Sequence, residues 1–149
     1  MDNNLLIFTR EDMLEENVIR CRSAKIFEKR FLRKGFKNQI SVIRILDSRR
    51  EEFRLSKAYE KKVDVINVIT APEIEMLIIH NEGAYERFKR SGKKTSEFCK
   101  ADLRMHNVKS YDFVKDYFSN PQTLVNAIKE YRRTANIPKS EYSLSDLLK

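Results

Sequence analysis

The sequence predicts an α/β fold, with a small, mostly parallel sheet of three or four strands flanked by helices and a helical C-terminal half. The first observation is a set of short apolar segments, rich in β-branched and leucine side chains, which are typical of buried strands. They lie at 4–8, 40–48 and 63–70. The second is that amphipathic stretches separate these segments, and strands that alternate with helices favour parallel pairing. The third is a change to helical spacing alone from residue 72 onward.

The first strand, at 4–8, is followed by apolar residues at helical spacing over 10–36, which predict a helix that ends near Gly35. The strand at 40–48 precedes an amphipathic stretch at 50–62, which we expect to be the second helix. The two predicted helices thus connect three strands in one layer.

The C-terminal half begins with Pro72, a residue suited to the first turn of a helix. The pattern over 72–92 predicts one helix, or two joined near Gly83. Further helices are predicted at 95–103, 109–118 and 120–134, with a short helix or docking tail at 140–149. We therefore expect a single domain over residues 1–149, with a βαβαβ half at 1–71 and a helical half at 72–149.

Composition limits the class of protein. A chain of 149 residues with 41% hydrophobic and 35% charged residues can bury a core beneath a heavily charged surface. No apolar run approaches the roughly 20 residues that a membrane span needs. The N-terminal segment lacks the pattern of a signal peptide. Cys21 and Cys99 fit no metal-binding spacing, so we expect reduced thiols, a cytoplasmic protein and no membrane partner.

The net charge of +8 favours a polyanionic partner, most simply DNA or RNA. Basic residues cluster at 20–37 and 87–94, and we expect the second cluster to form a loop surface around Gly92. The candidate phosphate contacts in these clusters are Arg30, Arg33, Lys34, Lys37, Arg90, Lys93 and Lys94. The alternative is that both clusters are ordinary solvated faces.

Acidic residues follow each predicted strand. Glu11 and Asp12 follow the first, Asp47 ends the second, and Glu73 and Glu75 follow the third. Ligands of open α/β sheets gather at the carboxyl ends of parallel strands, and converging carboxylates suit Mg²⁺, which could assist phosphodiester cleavage. The alternative is structural, because acids stabilise the first turn of a helix and Asp47 can cap one.

Two arginines come directly after the second predicted strand. Arg49 stands where a D-x-D motif starting at Asp47 would have its second acid. A guanidinium cannot bind a metal, but it can hold a phosphate. We therefore include Arg49 and Arg50 among the candidate nucleic-acid contacts, with solvated helix residues as the alternative.

The order of these motifs resembles a Toprim domain. The stretch "LLIFTRED…KIFEKRFLRKGFKNQISVIRILD" is similar to the opening of that domain, and "RILDSRREEF" through "VINVITAPEIEMLIIH" to "SYDFVKDYF…LVNAIKEY" is similar to its RloB-like branch. The resemblance implies a metal-dependent nuclease or nucleic-acid-processing factor of bacterial defence against phage. It implies Glu11, Asp47 and Glu75 as catalytic metal ligands, with Mg²⁺ as the cofactor.

Two functional hypotheses follow. The first is a Toprim-like, Mg²⁺-dependent phosphodiesterase acting on RNA or DNA. The second is a non-catalytic binding module, such as a regulator, a subunit of a defence complex or a phage-encoded inhibitor of one. Such a module would use its basic surface on nucleic acid or on an acidic protein partner. The missing second acid favours the second hypothesis, and the strand-end acids favour the first.

Overall fold

The computed structural model describes residues 4–15, 17–47, 49–70 and 74–149. Their fold is α/β, as predicted. Three parallel strands, β1 (Ile40–Leu46), β2 (Val63–Ile69) and β3 (Tyr142–Ser143), form one sheet in the order β1-β2-β3. The register pairs Ile40 with Val63 at one end and Leu46 with Ile69 at the other. The predictions of strands at 40–48 and 63–70 are thus confirmed, with slightly earlier ends.

The prediction of a strand at 4–8 is wrong. Leu6 forms only an isolated antiparallel bridge with Leu148. The backbone N of Ile7 donates to the carbonyl oxygen of Leu147 at 3.0 Å, and Lys149 N donates to Leu5 O at 3.0 Å. This apolar run therefore pairs with the C-terminal segment, and β3 supplies the third strand of the sheet.

Among the described residues of the predicted helix at 10–36, helical structure is confined to the second half. Helix α1 (Ala24–Phe27) continues as a π-helical turn, Glu28–Leu32. It begins after Ser23, whose hydroxyl accepts a hydrogen bond from Ile26 N at 3.3 Å. Gly35 follows with a left-handed φ of +72°, which confirms the predicted end.

The predicted helix at 50–62 is also wrong, because residues 51–56 lack regular structure and 57–62 form turns. Side chains from elsewhere hold this segment away from helical geometry. The buried guanidinium of Arg44 donates to Glu51 O at 3.4 Å, and Glu28 Oε1 accepts from Ser56 N at 2.6 Å. The described residues within 1–71 therefore do not form the predicted βαβαβ unit.

The helical half matches its prediction closely. Gly83, at φ +62°, separates α2 from α3, so the 72–92 pattern forms two helices. Asn120 caps the longest helix, accepting from Gln122 N at 2.9 Å. The helices are α2 (Ile74–Asn81), α3 (Tyr85–Ser91), α4 (Thr95–Ala101), α5 (Tyr111–Tyr117) and α6 (Pro121–Thr134). After β3, a short 3₁₀ helix (Leu144–Leu147) confirms that the tail contains a last helical turn.

The described residues form a hydrophobic core of two clusters. The larger one lies among the helices of the C-terminal half and is centred on fully buried side chains such as Ile78, Ile79 and Phe98. The smaller one joins Leu32 to Ile40 and Val63 at the amino ends of β1 and β2. None of the helices in the described ranges combines the length and apolar character of a transmembrane span.

Candidate functional site

Glu11 lies in an exposed turn rather than at the end of a strand. Its neighbour Asp12 is the acid that organises this turn. Asp12 Oδ2 accepts hydrogen bonds from Thr9 N at 2.7 Å and Thr9 Oγ1 at 2.9 Å, and these bonds lower the pKa of Asp12. Because the predicted first strand is absent, Glu11 is not placed at the carboxyl edge of the sheet.

Asp47 and Glu75 follow the carboxyl ends of β1 and β2, as predicted, but their surroundings differ. Asp47 is exposed directly after β1, whereas Glu75 is fully buried in the first turn of α2. Glu73 lies outside the described residues. Within 4–15, 17–47, 49–70 and 74–149, no three His, Cys, Asp or Glu side chains are grouped so that they could hold a metal ion. The structure therefore does not bring Glu11, Asp47 and Glu75 together.

The carboxylate of Glu75 is enclosed by protein. Lys109 Nζ lies 3.1 Å from Oε1, but neither oxygen has a hydrogen bond of regular geometry to a described residue. Cys99 Sγ, also fully buried, is 3.9 Å from the carbonyl oxygen of Glu75. Burial, and secondarily the charge of Glu75, raises the pKa of Cys99 to about 11. Such a thiol is an inert packing group rather than a nucleophile.

Arg49 is engaged within the molecule. Its Nε and Nη2 donate to the two carboxylate oxygens of Glu141 at 2.6 and 2.7 Å. This bidentate pair raises the pKa of Arg49 and lowers that of Glu141. Arg49 thus fastens the segment after β1 to the residue before β3. Its neighbour Arg50 is exposed.

The second basic cluster is only partly available to a ligand. Gly92, at φ +64°, ends α3, and the exposed side chains of Arg90 and Lys94 lie on either side of it. Lys93 Nζ instead contacts Asp102 Oδ2 at 2.6 Å. This loop therefore offers fewer free cations than its sequence suggests.

The first basic cluster lies on the exposed side of α1 and the segment that follows it. We name six exposed cations the α1 basic face: Lys25, Lys29, Arg30, Arg33, Lys34 and Lys37. In the part of the chain that the structure describes, none of the six forms an ion pair with a carboxylate. Glu28, the acid within this segment, is occupied by Ser56 N. The face therefore presents uncompensated positive charge.

Packing on the opposite side of α1 fixes this orientation. Phe27 and Leu32 pack with Ile40 and Val63, which leaves the lysines and arginines toward solvent. Arg30 Cζ lies 5.1 Å from the ring centroid of Phe31, a cation–π contact that partly orders the side chain. Lys25 and Lys29 were not among the predicted contacts, although successive steps of four residues, from 25 to 29 to 33, place them on one helical face with Arg33.

A scan of the sequence against protein-family models finds no match, and searches of curated proteins and of solved structures also find none. The resemblance to Toprim and RloB-like proteins therefore stays a hypothesis.

Proposed function

We propose that this protein is a nucleic-acid-binding module that contacts the phosphate backbone through the α1 basic face. The observation that carries the proposal is the set of six exposed cations without carboxylate partners on one short segment of the described chain. The net charge of +8 adds a long-range attraction for polyanions. This is the non-catalytic hypothesis, and no metal is required for it.

The proposal predicts a particular kind of affinity. Lysine and arginine contacts to phosphates position a protein but carry no sequence information, so binding should depend weakly on base sequence. Each neutralised phosphate releases counterions. If four to six of the cations contact phosphates, log K should fall against log [salt] with a slope of about −3 to −5.

The decisive variant reverses charge at Lys29 and Arg33, which lie at the centre of the α1 basic face. Fluorescence anisotropy with labelled duplex DNA, single-stranded DNA and RNA, between about 50 and 200 mM salt, would measure affinity and slope. The matched control, Lys115→Glu with Lys139→Glu, makes the same change in net charge at exposed positions elsewhere. We expect Lys29→Glu with Arg33→Glu to lose at least tenfold more affinity than the control. Equal losses would refute the proposed face.

The same samples test the Mg²⁺-dependent nuclease. That hypothesis needs Glu11, Asp47 and Glu75 to converge on a metal, and its support is the position of Asp47 and Glu75 after neighbouring strands. Each nucleic acid is incubated with Mg²⁺, Mn²⁺ or EDTA, beside Asp47→Ala. Intact, retarded nucleic acid in every lane supports the binding module. Metal-dependent cleavage lost in Asp47→Ala would replace it with the nuclease. Absence of both binding and cleavage would leave an acidic protein surface as the partner of the basic face.

A further inference from the structure

Strand β1 lies at the edge of the sheet, and its outer side is open. The strand order is β1-β2-β3, and no described segment pairs with β1 on the side away from β2. The other edge is formed by β3, which has only two residues. An edge strand carries unpaired backbone donors and acceptors that can pair with another strand. The outer side of β1 is therefore the place where a strand of another molecule can add to the sheet.

One hydrogen bond identifies the residues of β1 that carry these unpaired groups. The carbonyl oxygen of Leu46 accepts from Thr70 N at 2.8 Å, so Leu46 bonds toward β2. In a parallel pair of strands, alternate residues direct their N–H and C=O groups to the same neighbour. The even-numbered residues of β1 therefore bond toward β2. The residues that direct both groups outward are Ser41, Ile43 and Ile45.

β1 lacks the features that usually protect an edge strand from pairing. Those features include a proline, an exposed lysine, a β-bulge or a very short length. The strand has seven residues, and its register with β2 is continuous from Ile40 to Leu46. Its charged side chain, Arg44, is buried and lies 3.4 Å from Glu51 Oε2. The outer side thus offers an uninterrupted strand without uncompensated charge.

The face of β1 that carries Ile43 and Ile45 is partly exposed. Ile45 is 53% exposed, and Ile43 and its register partner on β2, Ile66, are half-buried. Parallel sheets usually have both faces covered. The opposite face of β1 and β2 meets this expectation, because α1 and its π-helical turn pack on it. Pairing at the outer side of β1 would bury more of the two isoleucines.

We propose that β1 pairs with β1 of a second copy of this chain, in antiparallel orientation, with the two-fold axis at Ile43. Identical strands related by a two-fold axis hydrogen-bond to each other when they are antiparallel. In this register, Ile43 lies opposite its own copy, and Ser41 lies opposite Ile45 of the partner subunit. All three outward-directed residues then exchange backbone hydrogen bonds, so the edge is complementary to itself.

Charges at the two ends of β1 favour a second copy as the occupant. Lys37 and Lys62 are exposed near the amino ends of β1 and β2, and Asp47 is exposed directly after β1. Antiparallel pairing brings Asp47 of each subunit to the lysine-bearing end of the other, where opposite charges attract. Arg49, which also follows β1, is compensated by Glu141 of its own chain. The proposed dimer therefore has complementary charges at both ends of its interface.

Sedimentation velocity of nucleic-acid-free protein, over about 1–500 µM, measures self-association. Ile45→Lys is the test variant. Its matched control is Tyr142→Lys, because the Tyr142 side chain is 54% exposed on β3, at the opposite edge of the same sheet. Each variant adds one positive charge at an exposed strand position.

We expect Ile45→Lys to raise the dimer dissociation constant at least about tenfold, and Tyr142→Lys to change it less than about threefold. Equal losses in the two variants would overturn the proposal. A protein that is monomeric at every concentration would also overturn it, and would leave the β1 edge to a strand of a different protein.

A second measurement uses the unmodified protein and does not depend on a variant folding. In the monomer, amide hydrogen exchange should be slow at Val42 and Arg44, which bond toward β2, and fast at the outward-directed residues 41, 43 and 45. At dimer-forming concentrations, the amides of 41, 43 and 45 should become protected too. Dimerisation without this added protection would mean that another surface forms the dimer, and would overturn the proposal. Neither measurement involves nucleic acid, so the outcome is independent of the α1 basic face.

Discussion

Glu75 and Lys109 form an ion pair in which only the lysine is exposed to solvent. The carboxylate is fully buried, whereas the lysine side chain is 57% exposed and places its Nζ 3.1 Å from Glu75 Oε1. An ionised group in such a position depends on its partner, because water reaches the lysine but not the acid. The energetic consequences of removing either group are therefore unequal.

We expect Lys109→Met to lower the free energy of unfolding by about 1–3 kcal/mol, because it leaves the buried Glu75 carboxylate without the cation that lies 3.1 Å from it. Glu75→Gln should cost less or even stabilise the protein, since it removes the charge and leaves a solvated lysine. Urea unfolding followed by circular dichroism measures both. A larger loss for Glu75→Gln than for Lys109→Met would contradict this account.

The two thiols should react at very different rates. Cys99 is fully buried and its pKa is raised to about 11, chiefly by burial, whereas Cys21 is only partly buried. The thiolate is the reacting species, so at pH 8 native Cys99 offers almost none of it. Mass spectrometry after iodoacetamide treatment should find Cys21 modified and Cys99 intact, with both modified in urea. Early modification of Cys99 in the native protein would disprove the burial.

Glu141 should make the free energy of unfolding decrease at pH values below the usual pKa of a glutamate. The hydrogen bonds from Arg49 hold the pKa of Glu141 below the ordinary value of 4.5, so the folded protein releases this proton more readily than the unfolded chain. The resulting stability is fully present above about pH 4.5 and is lost as pH falls through the lower folded pKa. We expect the stability difference between the unmodified protein and Glu141→Gln to be constant above pH 5.5 and to shrink below pH 4, as measured by urea midpoints. A difference that grows with acid would contradict the pair.

His80 should make the free energy of unfolding depend on pH in a higher range than Glu141 does. Its ring stacks on Tyr85 at 4.5 Å between centroids, and burial lowers its pKa below 6.5 despite the opposing charge of Glu130. As pH falls, the imidazole of His80 is therefore protonated in the unfolded chain before it is protonated in the folded protein. The free energy of unfolding should decrease as pH drops from about 6.5 through the folded pKa. In His80→Gln this slope should disappear, while the Glu141 slope at lower pH remains. Thermal unfolding between pH 5 and 8 distinguishes the two residues.

The parts of the fold that local signals control were predictable from the sequence. β-branched runs identified β1 and β2, and the glycine at 83 and the predicted helix start at 120 marked helix ends that the structure confirms. The failures came from long-range contacts. Glu28 and Arg44 hold residues 51–56 out of a helix, and the run at 4–8 pairs with residues 147–149 rather than joining the sheet. Periodicity cannot report partners so distant in sequence.

The candidate sites were predictable to a similar extent. The clustering of basic residues indicated the segment that forms the α1 basic face, because the sign of each side-chain charge follows directly from the sequence. Whether a cation is free is not visible: Arg49 is paired with Glu141 and Lys93 with Asp102.

The position of β3 near the C-terminal end of the sequence has a consequence for folding kinetics. β2 and β3 are neighbours in the sheet, yet the whole segment containing α2 to α6 separates them, and Leu6 meets Leu148 across almost the full chain. Contacts between residues so far apart in sequence have a large entropic cost of loop closure. The helices, by contrast, form from contacts between residues close in sequence. We expect refolding to protect the amides of α2 and α6 first and those of residues 143–148 last, an order that pulsed hydrogen exchange can read directly.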